Sequence, residues 1–268
     1  MIAIGIVVGL YLAACVLGRL VYRSLLYPAP LGRSSAAPPS DASELWAETG
    51  GPRAHGWLFA HGGETLIVKL HGNGETIDDG VDTARELVAR GFDVLLIEYP
   101  GYGSAPGAPT ESALYAAADA LIVATHVAPE HTVIWGTSLG TGVATEMANR
   151  GKCRALVLMA PFTSIPDIGQ RVAVILPVGL IVADKFDSRS KARTVHVPVL
   201  VIHGTADEVV PYDMGVTLSM TFPHASLMTI QGGHHNDLLF TRGDAIYDAI
   251  ASHTRLGEFP LRITRTLR

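Results

Sequence analysis

Thr132-Val133-Ile134-Trp135-Gly136-Thr137-Ser138-Leu139-Gly140-Thr141-Gly142-Val143 is the stretch on which the fold turns. Its first four residues are β-branched or aromatic and read as a buried strand, and from Leu139 to Arg150 the apolar residues recur at helical spacing. Between strand and helix lies Gly-x-Ser-x-Gly. This places Ser138 on a tight turn that needs strained dihedrals, with Gly136 and Gly140 clearing space for the neighbouring backbones. The pentapeptide alone would arise by accident about 0.15 times in a chain of this composition, so its weight comes from its position.

A neutral serine hydroxyl is a weak nucleophile and needs a base, itself oriented by an acid. Both should lie downstream. After the apolar run Val199 to His203, the loop Gly204-Thr205-Ala206-Asp207 puts Asp207 at a strand's carboxyl end, where open α/β sheets place their sites. After the run Ser226 to Ile230 comes Gly232-Gly233-His234-His235-Asn236-Asp237. His235, beside Asn236 and Asp237 that can cap the last helix, is the expected base, with His234 turned to solvent or neighbouring backbone. Taken alone, Asp207 reads rather as a turn residue or helix cap, and the two histidines as loop residues or, with Asp237, a metal pair. No HExxH spacing or further ligand cluster accompanies them, so no metal is expected. For the oxyanion the expected donors are the backbone N–H of Leu139, at the positive end of its helix, and that of Asn73, in His71-Gly72-Asn73-Gly74-Glu75 after the strand Thr65 to Leu70.

Around this centre, further apolar runs at Asp93 to Glu98 and Ala155 to Met159 alternate with helical patterns over 81–90, 112–127, 139–150, 212–221 and 237–254. Such alternation means a mostly parallel sheet covered on both faces. Glu44 to Thr49 and Arg53 to Phe59 flank Gly50-Gly51 and read as an antiparallel hairpin at the sheet's edge. Residues 161–197 are long for a connection, and their apolar stretch is broken by Pro177 and Gly179. They form either a lid or acyl-binding cap, or extra helices packed on the core.

The N-terminus adds a second signal. From Met1 to Gly18 no side chain is charged, and as a helix this segment would extend roughly 27 Å, near the thickness of a bilayer's hydrocarbon. Residues 1–23 are expected to be a transmembrane anchor, 24–42 a linker rich in Pro, Ser and Ala, and 43–268 the folded domain. A cleaved signal peptide is the rival reading. It lacks a basic n-region, and the chain runs on as Arg19-Leu20-Val21-Tyr22-Arg23 rather than into a polar terminus. Leu12-Ala13-Ala14-Cys15 resembles a lipoprotein processing box but meets the same objections. Arg19, Arg23 and Arg33 all follow the apolar run, so the positive-inside rule places the domain in the cytoplasm.

The chain has 268 residues, 20 Lys and Arg against 25 Asp and Glu, and a net charge of −5, leaving no basic excess for nucleic acid. Only 17% of residues are charged and the mean hydropathy is +0.30, which excludes disorder. Cys15 and Cys153 are too differently placed to form a structural disulfide.

Together His71-Gly72-Asn73-Gly74, Glu98-Tyr99-Pro100-Gly101-Tyr102-Gly103, Gly136 to Gly140, His203 to Asp207 and His235-Asn236-Asp237 resemble the membrane-anchored branch of the α/β-hydrolase-domain serine hydrolases. That branch includes lysophospholipid and monoacylglycerol lipases and protein depalmitoylases. The similarity runs from about Glu44 to the last helix. It also supports His235 over His234, since the family motif is a Gly-His-Asn-Asp run. It implies the α/β-hydrolase fold, hydrolysis of an acyl ester or thioester by Ser138, His235 and Asp207, membrane lipid as a partner, and no cofactor. The depalmitoylases have a cysteine-rich N-terminus where this chain has an apolar helix. The Glu98 to Gly103 run is expected to be architecture, with Tyr99 or Tyr102 walling the pocket. A peptidase or acyltransferase on the same triad and a catalytically idle membrane-tethered binder are the competing functions. Dehalogenase and epoxide hydrolase chemistry would need a carboxylate at Ser138.

Overall fold

The computed structural model describes residues 2–29, 37–255 and 264–267. Arg33 and the middle of the expected linker lie outside the described residues. In chain order the elements are α1 (Ile2–Leu26), β1 (Ser43–Ala47), β2 (Ala54–Phe59), β3 (Leu66–Leu70), α2 (Val81–Ala89) and β4 (Asp93–Glu98). Then come α3 (Glu111–Ala124), β5 (Thr132–Thr137), α4 (Leu139–Asn149), β6 (Ala155–Met159), α5 (Ile165–Val172), α6 (Val178–Ile181) and α7 (Ser188–Ala192). The chain closes with β7 (Val199–Gly204), α8 (Tyr212–Thr221), β8 (Ala225–Ile230), α9 (Leu238–Arg255) and β9 (Thr264–Leu267).

The strands form one sheet in the order β1-β2-β4-β3-β5-β6-β7-β8-β9. The hairpin β1–β2 is antiparallel, β2 pairs antiparallel with β4, and the remaining pairs are parallel. The mostly parallel sheet is the one expected from the alternation of runs, and its topology is the α/β-hydrolase fold that the resemblance implied; β9, which pairs parallel with β8, was not anticipated. Side chains alternate across the sheet. Leu156 and Leu158 of β6 join one core with α3 and α4, while Val157 and Met159 join the opposite core with α2 and α9. Because both faces are covered, the strands carry continuous apolar runs instead of an alternating pattern.

The parallel strands all end on one side, and β5 runs directly into α4 there. A Cβ at Gly136 would collide with the backbone of Gly140 and Thr141, and one at Gly140 with the carbonyl oxygens of Leu70 and His71. Strand, helix and the neighbouring strand β3 thus meet at backbone contact.

The 161–197 segment divides into two parts. Phe186, Ala192 and Val195 pack into the α3–α4 core, so α7 belongs to the domain. In contrast α5 and α6 lean on α1: Val178, Ile181 and Val182 cluster with Tyr22, and Cys15 and Leu26 pack beside them. Helix α1 passes Arg23 and ends at Leu26, and Tyr27 is buried in the main core, so the chain enters the domain where a linker was expected to begin. Arg19 and Arg23 also have partners in the domain. Arg19 Nη1 donates to the carbonyl of Ile181 at 3.3 Å, and Arg23 Nε and the Tyr22 hydroxyl both donate to Asp184 Oδ2, at 3.1 and 2.9 Å. Asp184 Oδ1 in turn accepts the Glu111 N–H at 2.9 Å, which ties α1 to the start of α3.

A Gly140→Ala substitution forces backbone apart at the crossing of β3 and α4. We expect it to destabilise the protein by about 3 kcal/mol or more and to lower Tm by roughly 6 to 12 °C, measured by thermal unfolding of the full chain.

Candidate active site

Ser138 is the single residue between β5 and α4, with φ +49° and ψ −116°, a positive φ that side chains rarely adopt. Three hydrogen bonds hold it there. Its N–H donates to Met159 O at 2.9 Å, while its carbonyl accepts from the Thr141 N–H at 2.9 Å and the Thr141 hydroxyl at 2.6 Å. The turn lifts Oγ out of the sheet toward the loops after β7 and β8.

Those loops are fastened to one another. The Ala206 N–H donates to Gly233 O at 3.0 Å and the Gly232 N–H to the Thr205 hydroxyl at 2.9 Å, and a Cβ at Gly204 would strike Gly233. On this frame His235 Nε2 lies 3.0 Å from Ser138 Oγ, and His235 Nδ1 lies 2.8 Å from Asp207 Oδ2. The carboxylate accepts, so Nδ1 carries the imidazole proton and Nε2 is left as an acceptor facing the hydroxyl. His234 lies elsewhere: its ring is 58% exposed, with Nδ1 3.1 Å from Glu208 Oε2. Asp237 Oδ1 accepts the His234 N–H at 2.8 Å, tightening the turn before α9 where a cap on the helix itself was expected.

Asp207 is a buried charge with a full set of donors. Oδ1 accepts the N–H groups of Val209 and Val210 at 2.9 and 2.7 Å, and Oδ2 faces His235 and, at 3.3 Å, His203 Nε2. Burial acts to raise its pKa, but the hydrogen bonds from His203, His235 and Val210 outweigh it and hold the carboxyl well below the usual carboxylate range. His203 was quoted in the sequence motif without a role. Its Nε2 is also 2.9 Å from Val210 O, a pure acceptor, so Nε2 is the protonated nitrogen. Gly215 in α8 makes room for this ring, because a Cβ there would collide with Nδ1. The only hint in the sequence is a histidine ending an apolar strand four residues before the aspartate.

On the other side of Ser138, the loop after β3 is set by buried polar contacts. His71 Nε2 lies 3.0 Å from Glu98 Oε1, whose second oxygen accepts the Ile77 N–H at 3.1 Å. Tyr99 donates to His71 O at 2.9 Å and Tyr102 to Asn73 Oδ1 at 3.1 Å. One or other of these tyrosines was expected to wall the pocket; both instead brace the loop from behind it, outside the cavity lining. Glu75 Oε2 accepts the Gly72 N–H at 2.6 Å. Asn73 and Leu139, the expected oxyanion donors, both line the cavity onto which Ser138 opens.

The cavity above Ser138 measures about 840 Å³. Its walls are mostly aliphatic and come from three sources: Leu25 and Leu26 of α1, Ile168 and Val178 of α5 and α6, and Leu238 at the start of α9. Glu75 and Asn236 are among the few polar side chains on it. Among the described residues, no group of three His, Cys, Asp or Glu side chains is arranged to hold a metal ion.

Comparison with known proteins agrees with this architecture. Residues 65–180 match the family model of the alpha/beta hydrolase fold, and residues 181–265 match one described as TAP-like protein. An uncharacterized protein of Mycobacterium tuberculosis is 32% identical over 240 residues, covering 87% of this chain and 85% of its own. Human alpha/beta hydrolase domain-containing protein 17C is 36% identical over 151 residues, which is 54% of this chain and 45% of that protein. Among solved structures, an esterase of Pyrococcus furiosus superposes with a TM-score of 0.71 at 16% identity, covering 85% of this chain and 98% of that one. A monoacylglycerol lipase of Paleococcus ferrophilus gives 0.62 at 19%, covering 76% and 99%.

Because the Asp207 carboxyl is held below its ordinary value, its contribution to stability is complete above the unfolded carboxyl pKa of about 4 and is lost as pH falls through the lowered folded value. We expect the Tm advantage of the wild type over Asp207→Asn to shrink steadily as pH falls below about 4.

Proposed function

The chain belongs to the α/β-hydrolase family, and from that premise we propose that it is a membrane-tethered serine esterase that cleaves long-chain acyl esters or thioesters through an acyl-enzyme. The observation that carries this reading is a single chain of contacts, Ser138 Oγ to His235 Nε2 at 3.0 Å and His235 Nδ1 to Asp207 at 2.8 Å, opening on an aliphatic cavity.

In this mechanism His235 Nε2 takes the hydroxyl proton as Ser138 Oγ bonds to the substrate's acyl carbon. The imidazolium is stabilised by Asp207, whose charge is already oriented by Val209, Val210 and His203, so no group need reorganise as charge develops. The tetrahedral oxyanion is held by the N–H groups of Leu139, at the start of α4, and Asn73. Collapse expels the alcohol or thiol, which leaves with the proton from His235. Water then enters, gives its proton to the same nitrogen, and attacks the acyl carbon; the acid departs as Ser138 recovers its proton. Atoms and charge balance over the two half-reactions without a cofactor.

Two features favour an acyl chain over a peptide in the cavity. Its walls offer few hydrogen-bond partners for a peptide backbone, and aliphatic walls stabilise each buried methylene by about 0.8 kcal/mol. The helix α1, 25 residues long and apolar enough to cross a bilayer, would hold the enzyme where such substrates concentrate. An acyl-acceptor other than water would turn the same intermediate into transferase chemistry, and product analysis with added alcohol separates the two.

For p-nitrophenyl esters we expect kcat/KM to rise from butyrate to dodecanoate, by up to about fourfold per methylene. Ser138→Ala should lower kcat/KM by about 10⁶ and Asp207→Asn by about 10³ to 10⁴. A flat or falling series beyond butyrate contradicts the long-chain assignment, and an unimpaired Ser138→Ala contradicts the mechanism.

A further inference from the structure

Val172, Val174, Ile175 and Leu180, at the tip of α5–α6, are 73 to 86% exposed. They belong to a run from Val172 to Ala183 without a charged side chain. This surface does not stand alone. It is continuous with α1, whose own apolar side chains are also exposed, and the contact is specific along its length. The Tyr11 hydroxyl donates to Ile175 O at 3.1 Å and Arg19 Nη1 donates to Ile181 O at 3.3 Å. Tyr11 and Arg19 are eight positions apart, so the hairpin lies beside about 12 Å of the helix, on the side of Arg19 that carries no charge.

The turn between α5 and α6 also has an unusual polar inventory. Gln170 Nε2 donates to Ala173 O at 3.2 Å and to Val174 O at 2.9 Å, while Tyr11 serves Ile175 O. Three successive carbonyls of an exposed turn are therefore satisfied by side chains of the protein itself. In water that provision is unnecessary. In hydrocarbon each such bond lowers the cost of seating irregular backbone, although Ala173 O also accepts the Leu176 N–H at 3.0 Å. The same elements form one wall of the cavity, through Leu25 and Leu26 of α1 and Val172, Val178 and Val182 of the hairpin.

We propose that residues 172–182 are a second membrane-seated segment, immersed in the hydrocarbon of one leaflet alongside α1. The cavity over Ser138 then fills sideways from that leaflet, taking the acyl chain of a bilayer lipid without passage through water. This rests on the reading of α1 as an anchor and of Ser138 as the nucleophile, and it adds the route by which substrate arrives.

The test uses the full chain, with Cys15→Ala, in phosphatidylcholine vesicles. Cys153 is buried and its thiol pushed up to about 12, so it does not compete for label. A nitroxide placed by Ile175→Cys or Leu180→Cys should collide freely with oxygen and be shielded from a water-soluble nickel chelate, unlike one at the exposed Glu130. Nickel access equal to that at Glu130 overturns the proposal, as does strong dipolar broadening showing that a second copy covers the patch. In a second arm, Val174→Asp with Ile175→Asp, neither of which lines the cavity, should lose about tenfold or more on an ester lodged in vesicles. Its kcat/KM for p-nitrophenyl butyrate in solution should stay within about twofold of the wild type. Equal loss on both substrates, or on neither, overturns the entry route and leaves the esterase reading standing. A wild-type chain that hydrolyses no ester defeats the esterase reading, while the nitroxide depths still decide where the hairpin sits.

Discussion

Backbone contact at the crossing of β3, β5 and α4 is the constraint from which the rest of the structure follows. Gly136 and Gly140 leave no atoms between strand and helix, so the chain must reverse within one residue, and that residue is Ser138 at a positive φ. Such a conformation costs of order 1–3 kcal/mol and persists only where its surroundings over-determine it. Here they do, through Met159 on one side and Thr141 on the other. The gain is geometric: the hydroxyl stands at the head of a helix, where backbone N–H groups can receive an oxyanion, and clear of the sheet, where an imidazole can reach it.

The second organising element is the Asp207 carboxylate, which gathers two loops and two histidines about one charge. Its four donors offset the cost of burial and keep it ionised, and an ionised Asp207 decides the tautomer of His235. His203 acts behind it. By splitting its Nε2 hydrogen between Asp207 and Val210 O, it fixes the face of the carboxylate that His235 sees. The buried His71–Glu98 contact does the corresponding work for the loop of Asn73, with Tyr99 and Tyr102 as props. The site is thus supported from both sides by histidine–carboxylate pairs, one exposed to the reacting atoms and one not.

Much of this was legible in the sequence because it depends on local rules. The elbow reads from a strand, a glycine-flanked serine and a helix in immediate succession. The alternation of buried runs with helices yields the sheet, and the order of Ser138, Asp207 and His235 follows from three strand ends on one side of it. What escaped depends on partners far apart in the chain. The roles of Tyr99 and Tyr102 are set by carbonyls about 28 residues away, and nothing in their own neighbourhood distinguishes a prop from a pocket wall. Asp184 lies 162 residues from Tyr22, so Arg19 and Arg23 read as topology signals although they also dock α1 on the domain. The strand β9 follows residues with no apolar run to announce it.

Helix α1, the α5–α6 hairpin and the cavity form one apolar continuum that ends at Ser138, and the account stands on the chemistry at that end. The most direct measurement is a crystal structure of the protein after reaction with a long-chain alkyl fluorophosphonate. The account predicts phosphorus bonded to Ser138 Oγ, the phosphonyl oxygen within about 3 Å of the Leu139 N–H, and the alkyl chain running toward Val172 and Leu26. A folded protein that takes up no phosphorus, or takes it up on another residue, would contradict it.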